Sequence, residues 1–102
     1  MRLIKKGFLI QAAKEFPKAA KYLQAWGVVV GAAKWKNIAE VRKTYASADA
    51  VQLRSGRSVV IFNVCGNNYR LIAALHYNRQ IVYTLRFLTH AEYSEERWKA
   101  EL

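Results

Sequence analysis

Between Asp49 and Glu92 the chain has no acidic residue. The same stretch carries Arg54, Arg57, Arg70, Arg79 and Arg86, with His76 and His90. Four of the seven acids fall in the last eleven residues, so the middle of the chain is purely cationic. Seventeen basic residues leave a formal net charge of +10 and a pI near 10.1. Such an excess raises self-repulsion and attracts polyanions, chiefly through release of counterions from phosphates. A nucleic acid, the ribosome or an acidic protein is the natural partner.

Other scarcities exclude whole classes. The single cysteine, Cys65, rules out an internal disulfide and fits a reducing cytosol. No run approaches the 18 to 20 apolar residues of a membrane span, and MRLIKKGFLI lacks both an apolar signal core and a cleavage site. These features point to a soluble, cytoplasmic protein with no membrane partner. Two histidines and one cysteine offer no metal site of familiar spacing, so neither metal nor cofactor is expected. Cys65 has no paired-histidine motif, and no P-loop, dinucleotide fingerprint or serine elbow occurs. What is present is an ordinary globular composition, 53% hydrophobic and 13% aromatic. At 102 residues it makes one domain, residues 1–102, able to bury about two thirds of its unfolded surface.

Met1 to Ile4 alternates weakly and reads as a short edge strand. Phe8, Leu9, Ala12, Ala13 and Phe16 then recur at helical spacing. Pro17 either stops that helix or opens the next at its first turn. A second helix covers Ala19 to Trp26; Val28 to Val30 favour strand by propensity, yet the spacing predicts helix continuing into a loop around Gly31. Asn37 with Glu40 has the form of a capping box for a short helix from Ile38 to about Tyr45. Strands follow at Ala50–Leu53 and Ser58–Val64 around Ser55-Gly56, and Gly66-Asn67-Asn68 turns the chain again. A hairpin at Tyr69–Tyr77 and Ile81–Leu88 hands over to one last helix, from Thr89 or His90 to about Lys99. Helices first, then an antiparallel meander, then a C-terminal helix is an α+β order.

The hairpin is the expected working surface. Arg70 shares a strand face with Ile72, Ala74 and His76. The HYNRQ connection permits a loop of two residues or three; three places Arg70 and Arg86 on one face, two on opposite faces. An arginine in an apolar strand is costly to bury unpaired, and acids are scarce nearby. Arg70 is therefore expected to face an open cleft, where its planar fork can grip a phosphate. The alternative is a structural arginine bonded to loop carbonyls. Thr89 and Glu92 form a capping box that explains both residues. His90 and Tyr93, three apart, would share a helical face. A histidine can exchange protons at neutral pH, and a tyrosine can bond a phosphate or stack on a base. Arg54 and Arg57 flank a turn as an electrostatic rim, Lys34, Lys36, Arg42 and Lys43 read as a solvated face or an acidic partner's landing site, and His76 as structural.

Phe62-Asn63-Val64, Gly66-Asn67-Asn68-Tyr69-Arg70-Leu71-Ile72 and Thr89-His90 with Tyr93, behind two N-terminal helices, resemble the HigB-type toxins of the RelE superfamily. The likeness covers nearly the whole chain in length and element order and is sharp from Ala48 to Trp98. It implies a RelE-like fold with N-terminal helices packed on an antiparallel β-sheet. It also implies a type II toxin acting as an mRNA interferase, an endoribonuclease that usually cuts mRNA on the ribosome and so inhibits translation. A HigA-type helix-turn-helix antitoxin would neutralise it and carry the complex to operator DNA. Arg70 falls on the strand arginine that the superfamily uses at the scissile phosphate, and His90 and Tyr93 fall at its polar strand-to-helix junction.

The roles that follow are specific. Arg70 would stabilise charge on the phosphorane-like transition state, His90 would act as general acid or base, and Tyr93 would position the phosphate or base. Arg54, Arg57, Asn68 and Arg86 would hold RNA. RNA supplies its own 2′-hydroxyl nucleophile, so positioned cations can do much of the work without a metal. The rivals are a non-catalytic RNA- or ribosome-binding protein and a structural subunit that docks an acidic protein.

Overall fold

The computed structural model describes residues 1–102. Five strands form one sheet in the order β1-β5-β4-β3-β2. They are β1 (Arg2–Ile4), β2 (Asp49–Gln52), β3 (Ser58–Val64), β4 (Tyr69–His76) and β5 (Ile81–Thr89). β2 through β5 run antiparallel as expected, while β1 joins the far edge parallel to β5, with Leu3 opposite Val82. The sheet is therefore mixed, and the α+β order holds.

Helices α1 (Lys6–Glu15), α2 (Ala20–Ala32) and α3 (Ile38–Thr44) precede the meander. Pro17 does both things open to it. It ends α1 and begins a 3₁₀ turn, Pro17–Ala19, that leads into α2. α2 runs straight through the valines because Leu23, Trp26 and Val30, at helical spacing, are all buried. Burial of that face outweighs the few tenths of a kcal/mol that each β-branched residue costs in a helix. Asn37 Oδ1 accepts the Glu40 N–H at 3.0 Å, but Glu40 Oε1 takes the Lys36 N–H instead of closing the box on Asn37.

Apolar layers cover both faces of the sheet. On the helical side Trp26 meets Phe62 edge-on, with ring centroids 5.4 Å apart, above Val64, Leu71, Ala73 and Val82. On the other side Leu53, Val59, Ile61 and Ile72 lie under Trp98. That second layer exists because the last helix breaks. The expected single helix is two, α4 (His90–Ser94) and α5 (Arg97–Glu101), separated at Glu96, whose φ is 62°. A left-handed non-glycine residue costs roughly 1–2 kcal/mol, whereas burying a large apolar side chain rather than leaving it exposed contributes about 1.5–3 kcal/mol. The break wins because it folds Trp98 back onto the sheet.

Candidate active site

The β3–β4 turn and the β5–α4 junction meet at one corner of the sheet. Cys65 and Gly66 take left-handed φ values of 53° and 68°, which reverses the chain over Cys65–Asn68. The Asn68 carbonyl accepts the His90 N–H at 2.9 Å and ties the turn to α4. At the junction Thr89 Oγ1 accepts the Glu92 N–H at 3.2 Å and Glu92 Oε1 accepts the Thr89 N–H at 3.1 Å, a complete capping box. Glu92 is thereby engaged with the helix start. His90 is exposed, its Nδ1 3.4 Å from Ser94 Oγ, and Tyr93 lies one turn further along α4.

Arg70 projects towards this corner from β4, opposite Asn63. It does not open onto a cleft. The residue is 8% exposed, and its guanidinium donates from Nη1 to the Asn67 and Tyr69 carbonyls at 3.2 and 3.0 Å and from Nη2 to Asn67 Oδ1 at 2.5 Å. Its outer face is covered by Tyr93, with the guanidinium carbon 5.3 Å from the ring centroid. Tyr93 in turn stacks on Trp98, with centroids 5.4 Å apart, and its carbonyl accepts the Trp98 indole N–H at 3.1 Å. Carbonyls, one amide oxygen and a π-face thus stabilise the buried cation where no carboxylate is to hand. Of the five N–H groups of the guanidinium, Nε–H and one on Nη2 remain uncommitted within the chain.

The Arg70–Arg86 question is decided by a bulge. The β4–β5 connection has four residues, Tyr77–Gln80, neither two nor three, since His76 pairs with Ile81. On its own that register would leave Arg86 on the face opposite Arg70. The pairing slips by one between Ile72 and Ala73, so that Ile72 faces Arg86 and Arg70 faces Leu88. Leu85 is the extra residue, and past it Arg86 shares a face with Arg70. There Arg86 donates to the Leu85 carbonyl at 2.7 Å and pairs with Glu101 at 3.3 Å.

Arg54 and Arg57 do not join the corner. They flank the β2–β3 turn at the opposite end of β3, about 20 Å away at the usual strand rise. Arg54 lines a cleft it shares with Glu96 and Glu101 of the C-terminal segment. His76 is exposed at the hairpin end and meets Tyr83 edge-on, with centroids 5.5 Å apart. Two contributors were not singled out in the sequence. Asn67, whose side chain holds Arg70, figures in the sequence only as part of the Gly66–Asn68 turn and of the family motif, and Trp98 only as the far end of the stretch where the likeness is sharp. A depression of about 490 Å³ beside the turn is lined by Tyr22, Tyr45, Phe62, Asn63 and Asn67. Burial raises the pKa of Tyr22 and Tyr45 above the ordinary phenol value, with the neighbouring Tyr45 and Cys65 adding to the effect on Tyr22. No cluster of three His, Cys, Asp or Glu side chains is placed to hold a metal, and no helix is long and apolar enough to cross a membrane.

Residues 19–96, which span the whole corner, match the family model of HigB_toxin, the RelE-like toxic component of a toxin-antitoxin system. The chain belongs to the HigB toxin family. Within its curated relatives it is 29% identical over 93 residues to the mRNA interferase toxin HigB of Escherichia coli K12, covering 91% of this chain and 88% of that protein. The mRNA interferase HigB of Shigella flexneri matches to the same extent, 29% over 93 residues. The resemblance in the turn and junction motifs is thus matched by family membership, and a HigB-family toxin acts opposite an antitoxin. The match includes Arg54, Arg57, Asn68, Arg70, Arg86, His90 and Tyr93, and ends before α5 and Trp98.

Proposed function

We propose that this HigB-family toxin is an endoribonuclease that cleaves mRNA on the ribosome and so inhibits translation. The observation that carries the reading is the convergence of Asn68, Arg70, His90 and Tyr93 on one corner whose adjacent acid, Glu92, is engaged in a helix cap. The curated relatives, named as mRNA interferases, support the same substrate.

In the proposed reaction the RNA 2′-oxygen attacks the adjacent phosphorus as the bond to the 5′-oxygen breaks. The products are a 2′,3′-cyclic phosphate and a free 5′-hydroxyl. The exposed imidazole of His90 takes the 2′-hydroxyl proton or supplies one to the leaving oxygen. The Tyr93 hydroxyl holds the phosphate or a flanking base. Arg70 supplies fixed positive charge behind Tyr93 and, through its uncommitted N–H groups, stabilises the developing phosphorane charge. Asn68 and Arg86 hold RNA next to the corner, and Arg54 and Arg57 contact backbone further along the message or the ribosomal RNA. None of these roles calls on a metal. The complex with a HigA-type antitoxin would be the form that reaches operator DNA.

A second reading, a non-catalytic RNA- or ribosome-binding protein, is favoured by the three bonds Arg70 makes inside the chain. Strand scission separates the two. Tightly induced expression followed by primer extension on abundant mRNAs should give growth arrest and new, translation-dependent ends. His90→Ala and Tyr93→Phe should lose most of those ends while remaining soluble. Growth without cleavage from soluble wild-type protein would favour the binding module.

A further inference from the structure

Ile10 and Val28 are the two large apolar side chains left exposed, at 62% and 69%. Both line the same groove, about 840 Å³, between α1 and α2. Full burial of such a side chain is worth about 1.5–3 kcal/mol, so exposing two in one place is a standing cost that a partner removes. The groove floor is set by close helix packing. A Cβ at Gly27 would lie 3.3 Å from Leu9 Cδ1, so glycine lets α2 approach α1. Around the apolar floor stand Arg2, Lys6 and Lys14, and no carboxylate lines the groove.

From this we infer that the α1–α2 groove is where the antitoxin docks, through an amphipathic segment with an apolar stripe flanked by carboxylates. The inference rests on the chain's membership of a toxin family, which supplies a partner, and not on the nuclease reading. Charge complementarity selects the occupant. A second copy of this chain would bring the same cationic rim and repel it, whereas an acid-flanked stripe satisfies the floor and rim together. The groove lies on the helical side of the sheet, and Arg70, Arg86, Tyr93 and Trp98 lie on the other, so docking and toxicity are separable.

The test uses the 102-residue chain and its cognate antitoxin, purified separately. Titration calorimetry compares wild type with Ile10→Asp/Val28→Asp and, as a second variant confined to surface charge, Lys6→Glu/Lys14→Glu. Both variants should bind at least tenfold more weakly, with unchanged circular dichroism and with growth arrest by the toxin alone at the wild-type level. Wild-type affinity in both variants overturns the proposal. So does a wild-type dimer that the variants dissociate while antitoxin affinity holds, which would make the groove a self-association surface. A wild-type protein that neither arrests growth nor cleaves mRNA, yet binds antitoxin through the groove, would sink the nuclease reading and leave this one standing.

Discussion

The guanidinium of Arg70 lies over the ring of Tyr93, 5.3 Å from its centroid, and the same ring stacks with Trp98 at 5.4 Å. The C-terminal segment therefore roofs the strand arginine. A cation–π contact of this kind contributes on the order of 0.5–2 kcal/mol. It links the order of α4 and α5 to the position of the candidate catalytic groups.

Arg70 should be intolerant of conservative exchange. Arg70→Lys keeps the charge but cannot reproduce donors aimed at both carbonyls and at Asn67 Oδ1. The expected result is loss of growth arrest with a stability decrease of about 1–3 kcal/mol. Denaturant unfolding beside induced expression checks both. A Lys variant of full toxicity would remove Arg70 from the transition state.

Glu101 should restrain Arg86. Their pair is 3.3 Å long, with side chains 37% and 57% exposed, so its loss should change stability by less than about 1 kcal/mol. Glu101→Gln should instead tighten binding to single-stranded RNA and steepen its dependence on salt, because one more cation meets phosphate. Filter binding across a salt series reads this out. An unchanged slope would mean that Arg86 does not contact RNA.

High pH should destabilise the fold through tyrosines. Burial raises the pKa values of Tyr22, Tyr45 and Tyr77 above the ordinary 10.0. Above pH 10.0 the unfolded chain releases these protons while the folded chain retains them. The unfolded state then binds fewer protons, so the stability present below that pH falls as pH rises. Thermal melts from pH 9 to 12 should show a decline that Tyr22→Phe reduces. An equally steep decline in Tyr22→Phe would remove that tyrosine from the linkage.

Much of this protein is written in local chemistry. The cationic middle, the Asn37 cap, the Thr89–Glu92 box and the turns at Ser55-Gly56 and Gly66-Asn68 depend on neighbours a few residues apart. Short-range hydrogen bonds and backbone preferences were enough to locate the strands and the starts of α1 through α4. The turn and junction motifs, read together, carried the family. Tertiary structure decided whatever depended on distant partners. The parallel docking of β1, the break at Glu96 that returns Trp98 to the sheet, and the slip at Leu85 that turns Arg86 towards Arg70 each follow from long-range packing or pairing. The environment of Arg70 is the sharpest case. Sequence showed that no carboxylate was near to pair it, but only the folded chain brought two carbonyls, an amide oxygen and the Tyr93 ring around one buried charge.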